Sequence, residues 1–281
     1  MGNIDLHIHT TASDGTDTPT QVVEKALRLG LSAIAITDHD SVSGTVEGMI
    51  AGARTGVQVV PGIEVSSNYR ENNVHILGYF VDVQSAEMRP VLDWVTNERE
   101  KRNTKMVAML AADGFDISME ELNAAYPASV LGRPHIAEML MKKGYVSSVK
   151  EGFSLYLNRG KKYYLPKQRI SMQKAVETIR AAGGVAVLAH PLEYFYPDNE
   201  VLEMMEYGKS LGIQAVEVFY SEHSLPETEK VFKMVQSLGM GMTGGSDYHG
   251  PRKAHIEMGR GTGLLNIPYS ILEDLRSLRG K

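Results

Sequence analysis

Short apolar runs, most of them rich in Val, Ile and Ala, recur at residues 4–7, 33–37, 57–61, 74–81, 185–190, 215–220 and 241–244. They are too short for helices that bury a face, and β-branched side chains suit a buried pleated surface. Helical periodicity fills most of the gaps, and strand alternating with helix implies parallel strands in an α/β fold. Local signals agree. Thr18-Pro19 opens a helix with Thr as cap and Pro in the first turn, and Val22, Val23, Ala26 and Leu27 give it an apolar face before Gly30. Ser171 opens another, which runs through Val176 and Ile179 to a stop at Gly183-Gly184.

From Gln84 to about Leu165 the strand signal is lost, and the spacing predicts helices at 90–112, 118–126, 134–143 and 147–156. The expected organisation is a barrel in two parts, 1–83 and 166–281, interrupted by a helical insertion, 84–165, over the active site. Trp94, Val95, Met106, Met109 and Leu110 are expected in the insertion core. Residues 84–170 carry 14 Lys and Arg against 10 Asp and Glu, in a chain of net charge -5. A basic middle on an acidic body suits a cation-loaded site facing an anionic substrate, and it equally suits ordinary scatter of surface charge. No apolar stretch approaches the roughly 18 residues of a membrane span. The first residues lack a basic n-region and a long apolar h-region, so a cytoplasmic protein is expected, and nothing calls for an obligate protein partner.

The apolar runs also end alike, in histidines and acids. His7-Ile8-His9 sets two imidazoles on one face of a strand, since side chains alternate with period two, and Ser13-Asp14-Gly15 comes just after. The next runs lead into Thr37-Asp38-His39-Asp40 and Pro61-Gly62-Ile63-Glu64; His75 lies on the fourth; His190-Pro191 and Ser246-Asp247-Tyr248-His249 end later ones. Parallel strands bring their C-terminal ends to one rim. Six of the nine histidines therefore converge there with Asp14, Glu64 and Asp247. Buried imidazoles and carboxylates in such number are costly to desolvate unless a metal compensates them. The chain has no cysteine, which leaves imidazole and carboxylate as ligands and favours manganese, iron or zinc, with magnesium less suited.

These motifs resemble those of the PHP family, the polymerase and histidinol phosphatase superfamily, across the whole catalytic domain. The resemblance implies a distorted seven-stranded (β/α) barrel with two or three divalent metal ions at the strand ends. It implies that His7, His9, Glu64 and Asp247 hold one ion, that Glu64 bridges to a second held by His75 and His190, and that Asp14, His39 and His249 hold a third. Three divalent ions against three carboxylates and six neutral imidazoles leave a positive centre, which a hydroxide and a phosphomonoester dianion would neutralise. The implied chemistry is in-line attack on phosphorus by a metal-bridging hydroxide.

Gly132-Arg133-Pro134-His135 resembles the branch that cleaves nucleoside 3′,5′-bisphosphates and trims short oligonucleotides from the 5′ end. Arg133, and less strongly His135, are therefore candidates for substrate binding, at a helix start that suits phosphate or a plain turn. His223 follows the sixth strand and is a candidate for binding the phosphate or protonating the leaving oxygen. Asp38 and Asp40 are expected to orient neighbouring imidazoles. Residues 159–164, Arg-Gly-Lys-Lys-Tyr-Tyr, read either as a nucleic-acid surface or as a solvated loop. The expected function is hydrolysis of a phosphomonoester of a small nucleotide, extending to 5′-phosphorylated short single-stranded oligonucleotides. The alternatives are histidinol-phosphate phosphatase, a non-catalytic metal-stabilised module, and a C–N hydrolase.

Overall fold

The computed structural model describes residues 2–127, 129–166 and 168–280. Strand β1 (Asn3–Ile8) leads through helix α1 (Pro19–Arg28) to β2 (Ala33–Ile36), and α2 (Ser43–Thr55) leads to β3 (Gln58–Tyr69). The three strands are parallel. Thr18 caps α1 by accepting from the Gln21 N–H, Pro19 occupies its first turn, and Val22, Val23 and Ala26 are its buried face. Gly56, in the left-handed region at φ 83°, ends α2.

The expectation of purely parallel strands fails at β4 (Asn72–Tyr79), which runs antiparallel to β3. Only a tight turn, Arg70-Glu71, joins the two, and so short a connection allows no crossover. A residue near the start of β4 thereby reaches the rim that other strands reach with their C-terminal ends. His75 is that residue, opposite Ser66.

After β4 come α3 (Arg89–Ala112), α4 (Met119–Ala125), α5 (Arg133–Lys142), α6 (Val149–Gly152) and a π-helical turn, Phe153–Leu157. Their buried side chains, among them Met106, Leu110, Leu122, Ile136 and Leu140, form a cluster separate from the cores of the sheet. Each fully buried side chain of this kind contributes roughly 1.5–3 kcal/mol. Trp94 is an exception to the expected core, lying 39% exposed on α3.

The chain then forms β5 (Ile170–Ser171), α7 (Met172–Ala181), β6 (Val185–Leu188), α8 (Asp198–Leu211), β7 (Ala215–Tyr220), α9 (Leu225–Ser237), β8 (Gly241–Gly245), β9 (Ile267–Pro268) and α10 (Ser270–Ser277). The sheet order is β8-β7-β6-β4-β3-β2-β1-β9, with β5 paired to β3. The sheet nearly closes. The Asp247 N–H donates to the His7 carbonyl (2.8 Å) and the His9 N–H to the Tyr248 carbonyl (2.9 Å). Gly245 makes that approach possible, since a Cβ there would lie 2.3 Å from the His7 nitrogen. Ile63, Val65, Ile76, Val176, Ile179 and Val216 form one core beneath α7, while Leu6, Ala35, Leu77 and Tyr79 form another with Leu272 and Leu275 of α10. The result is an α/β barrel in which two-residue strands supplement seven longer ones.

Candidate metal centre

Strand ends from both halves of the chain bring nine candidate ligands to one rim. Around Glu64 Oε2 lie His9 Nε2 (3.3 Å), His7 Nε2 (3.5 Å) and His39 Nδ1 (2.9 Å). Asp247 Oδ1 faces the same two imidazole nitrogens, at 3.2 Å from His9 and 3.6 Å from His7. The other Glu64 oxygen, Oε1, faces His75 Nδ1 (2.8 Å) and His190 Nε2 (3.0 Å). Asp14 gathers His249 Nε2 (3.3 Å), His9 Nδ1 (3.7 Å) and His39 Nε2 (4.0 Å). His39 thus stands between the Glu64 and Asp14 groups, where the resemblance assigned it to the latter alone. Asp40, His190 and Asp247 hold φ of 54°, 24° and 55°, values a side chain with a Cβ adopts only where its surroundings enforce them.

The donor set fits divalent ions. Glu64 Oε2 is buried without a hydrogen-bond partner, and His7 Nε2 and His9 Nε2 face each other at 3.2 Å. Two imidazole nitrogens and an unpartnered carboxylate oxygen converging there are a donor set suited to a shared cation. Burial opposes charge on His9, yet hydrogen bonds and charge from Asp247 and Glu64 raise it to about 9. At His75 and His249 burial outweighs the nearby carboxylates and drops both to about 4, so they are neutral and ready to ligate. Burial also opposes charge on Glu64, and His39, His75 and His7 hold it well below the usual carboxylate range. Metal uptake must expel the proton His9 holds. Metal affinity is therefore expected to climb as pH rises from 7 to about 9, with proton release visible by calorimetry in buffers of different ionisation enthalpy. A flat affinity over that range contradicts this.

Several groups beneath the ligands were not evident from the sequence. Glu217, fully buried on β7, accepts from His7 Nδ1 (2.9 Å) and from the His190 backbone N–H (2.9 Å). It fixes the His7 tautomer so that Nε2 faces the rim. The signal was an acid inside the apolar run 215–220. Glu217→Gln is expected to weaken metal affinity roughly 10- to 100-fold, measured by metal titration; unchanged affinity removes Glu217 from the centre. Tyr220 (3.0 Å) and Lys253 (2.6 Å) both donate to Asp247 Oδ2, leaving Oδ1 for the imidazole side. Asp5 accepts from the Ser246 N–H and hydroxyl and from the Gly259 N–H, bracing the loop that carries Asp247.

Other expected residues take different roles. Asp38 accepts from the Thr10 N–H, the Thr10 hydroxyl and the Ser13 hydroxyl, so it shapes the loop that presents Asp14 and meets His9 only through Ser13, whose hydroxyl is 3.5 Å from His9 Nδ1. Asp40 accepts from the Ser66 N–H and hydroxyl and pairs with Arg99. His135 is buried and accepts the Gly132 N–H on Nδ1 (3.0 Å), closing the first turn of α5; that nitrogen is a helix cap, not a phosphate contact. His223 hydrogen-bonds the Val218 carbonyl through Nδ1 (3.3 Å), and its Nε2 is buried without a partner. In 159–164, Tyr163 is buried and Lys162 pairs with Asp113 (2.5 Å).

Arg133 belongs to a larger feature. Its guanidinium donates to the Leu157 carbonyl (3.0 Å) and lies over Tyr164 and Phe153. Burial, and then the charges of Arg99, Arg133 and Arg169, lower Arg102 to about 9. Burial and the neighbouring arginines likewise lower Arg133 and Arg169. Four guanidiniums thus repel one another, with Arg99 paired to Asp40, and Arg99 and Arg169 have buried Nε atoms without hydrogen-bond partners. Arg99 also reaches the Ser66 hydroxyl (3.3 Å). Ser66 is two residues from Glu64, so the cluster begins roughly 7 Å along β3 from Glu64, opposite His75. The arginine spacing at 99 and 102 on one helix was the available signal.

Similarity to known proteins agrees with this geometry. The chain is 32% identical to the 3′,5′-nucleoside bisphosphate phosphatase of Chromobacterium violaceum over 99% of its own length and 98% of the relative's. It is 30% identical to a 5′-3′ exoribonuclease of Haemophilus influenzae, over 96% and 97% of the two chains. A solved structure from Bifidobacterium adolescentis, named as a metal-dependent phosphoesterase, superposes with a TM-score of 0.88 at 28% identity, covering 98% of this chain and 96% of that one. A Chromobacterium violaceum structure called an amidohydrolase, with bound sulfate and no metal, gives 0.87 at 31% identity over 99% and 97%. The PHP domain model matches residues 5–182, and with the imidazole and carboxylate rim this places the chain in the PHP domain family, as a metal-dependent phosphoesterase.

Proposed function

We propose that this phosphoesterase acts on nucleotides that carry two phosphates: a nucleoside 3′,5′-bisphosphate, or a short single-stranded oligonucleotide with a 5′ phosphate. The observation that carries this reading is the arginine cluster beside Glu64. Guanidiniums that repel one another and keep unpartnered N–H groups are held ready for an anion with several acceptor oxygens. The relatives named for bisphosphate and 5′-3′ RNA cleavage support it, as does the sulfate in a structural neighbour. Histidinol phosphate, with one phosphate and a cationic amine, fits this charge pattern poorly.

In this reading His7, His9, Glu64 and Asp247 hold one divalent ion, His75, His190 and Glu64 a second, and Asp14, His39 and His249 a third where it is filled. Manganese, iron or zinc suits these ligands. Ions bound there stabilise charge on phosphoryl oxygens and lower the pKa of an attacking water. The chain's own residues do the rest. Glu217 and the Asp247 carbonyl, which accepts from His249 Nδ1 at 2.8 Å, fix imidazole tautomers. Arg99, Arg102, Arg133 and Arg169 bind the second phosphate, and the ribose spans from C3′ to C5′ between the two sites. His223, with its free Nε2, is a candidate to hold or pass a proton near His190.

The segment 84–165 serves as an insertion over the site. Ser129 donates to the Thr11 carbonyl (2.7 Å), the Val130 N–H to the Ala12 carbonyl (3.2 Å), and Arg252 joins Glu138 of α5 to the Asp14 carbonyl. The test is phosphate release, with added manganese, from adenosine 3′,5′-bisphosphate, histidinol phosphate and a 5′-phosphorylated dinucleotide. Activity confined to histidinol phosphate sinks the proposal.

A further inference from the structure

The rim has a direction. On β3 and β4, Ser66 pairs with His75, and the Ala189 N–H beside β6 donates to the His75 carbonyl (3.1 Å). Adjacent strands lie about 4.8 Å apart. The arginine cluster, which touches Ser66, is therefore at one end of a row, residues 191–195 are at the other, and His75 and His190 lie between. After His190 the chain makes a single turn, Pro191–Tyr194, and Phe195 follows in the left-handed region at φ 56° and ψ 32°.

Both neighbours of Phe195 are tied inward. The Tyr194 hydroxyl accepts the His75 N–H (2.8 Å) and donates to the Ala189 carbonyl (3.0 Å), and its ring is 5.5 Å from that of His190. The Tyr196 hydroxyl donates to the Tyr69 carbonyl (3.2 Å). Phe195 alone turns outward and is 89% exposed, on a strained backbone that a glycine would relieve. A loop held by hydrogen bonds on both sides thus presents a bare aromatic ring one residue past the tyrosine that flanks His190.

We propose that Phe195 is the stacking platform for the nucleobase on the 3′ side of the scissile phosphate in a 5′-phosphorylated oligonucleotide, the base that keeps the phosphate when water displaces the O3′ of the 5′-phosphorylated nucleoside. The inference rests on the two-phosphate reading above. A strand whose 5′ phosphate sits in the arginines and whose next phosphate sits at the imidazoles continues along the row toward Phe195. An aromatic ring stacks on any base, so the contact adds affinity without sequence preference.

The test compares wild type, Phe195→Ala and Phe195→Trp on a 5′-phosphorylated dinucleotide and on a nucleoside 3′,5′-bisphosphate. Phe195→Ala is expected to lose roughly tenfold in kcat/KM on the dinucleotide, as for removal of one base-stacking ring. It should stay near wild type on the bisphosphate, which has no nucleoside 3′ to its scissile phosphate, and Phe195→Trp should restore the dinucleotide rate. Equal losses on both substrates, or none on either, overturn the proposal. So does a wild-type dimer in sedimentation that Phe195→Ala dissociates, because the ring then packs against a second copy. A wild type inert on both substrates is a different outcome, which removes the two-phosphate reading itself.

Discussion

Glu64→Gln is expected to lower phosphate release on the order of 10³-fold and to strip the protein of most of its bound metal. The two oxygens of Glu64 face different groups of imidazoles: His7, His9 and His39 at one, His75 and His190 at the other. A single amide therefore disables two ion sites, and the transition-state stabilisation that ions supply is worth several kcal/mol, each 1.4 kcal/mol being tenfold in rate. The shape of the side chain is kept, so loss of packing does not explain the result. Metal content by elemental analysis and rates on adenosine 3′,5′-bisphosphate check it. A variant that retains its full metal complement and turns over within roughly tenfold of wild type takes Glu64 out of the centre.

Arg169→Met is expected to raise KM for two-phosphate substrates roughly 10- to 100-fold, the range for losing a charged hydrogen bond of about 1.5–3 kcal/mol. Hydrolysis of p-nitrophenyl phosphate, which has no second phosphate, should be unaffected. The fold should not suffer. Burial and the charge of Arg99 already hold the Arg169 guanidinium below its ordinary value, so removing one cation relieves repulsion among those that remain. A thermal melt no lower than wild type, together with the selective KM effect, distinguishes a substrate-binding arginine from a structural one. An equal loss on both substrates contradicts the second-phosphate site.

Much of the candidate centre was legible because residues suited to metal ligation stand out chemically at each position. A histidine or acid at the end of an apolar run is conspicuous, and alternation on a strand places His7 and His9 on one face whatever the rest of the fold does. Hence the nine rim residues could be gathered from the linear chain. Their supports were less visible. Glu217 looked like one acid among 34 Asp and Glu, and nothing local showed that Asp38 would hold the loop of Asp14 through Thr10 and Ser13. Nor did any local pattern mark Phe195 as exposed, since its outward direction follows from the hydrogen bonds of the tyrosines on either side.

The sequence by itself determined the α/β alternation, the helix starts at Thr18 and Ser171, and the chemistry of the rim. These depend on period, capping and ligand type, which are properties of neighbouring residues. Only the tertiary structure decided the rest. The reversal of β4 carries His75 to the rim, and the near closure of β8 on β1 sets Asp247 against His7 and His9. Packing of α3 and α5 collects Arg99, Arg102 and Arg133 with Arg169, and His39 is shared between two groups of ligands. Each is a contact between residues distant in the chain, fixed by strand pairing and helix packing.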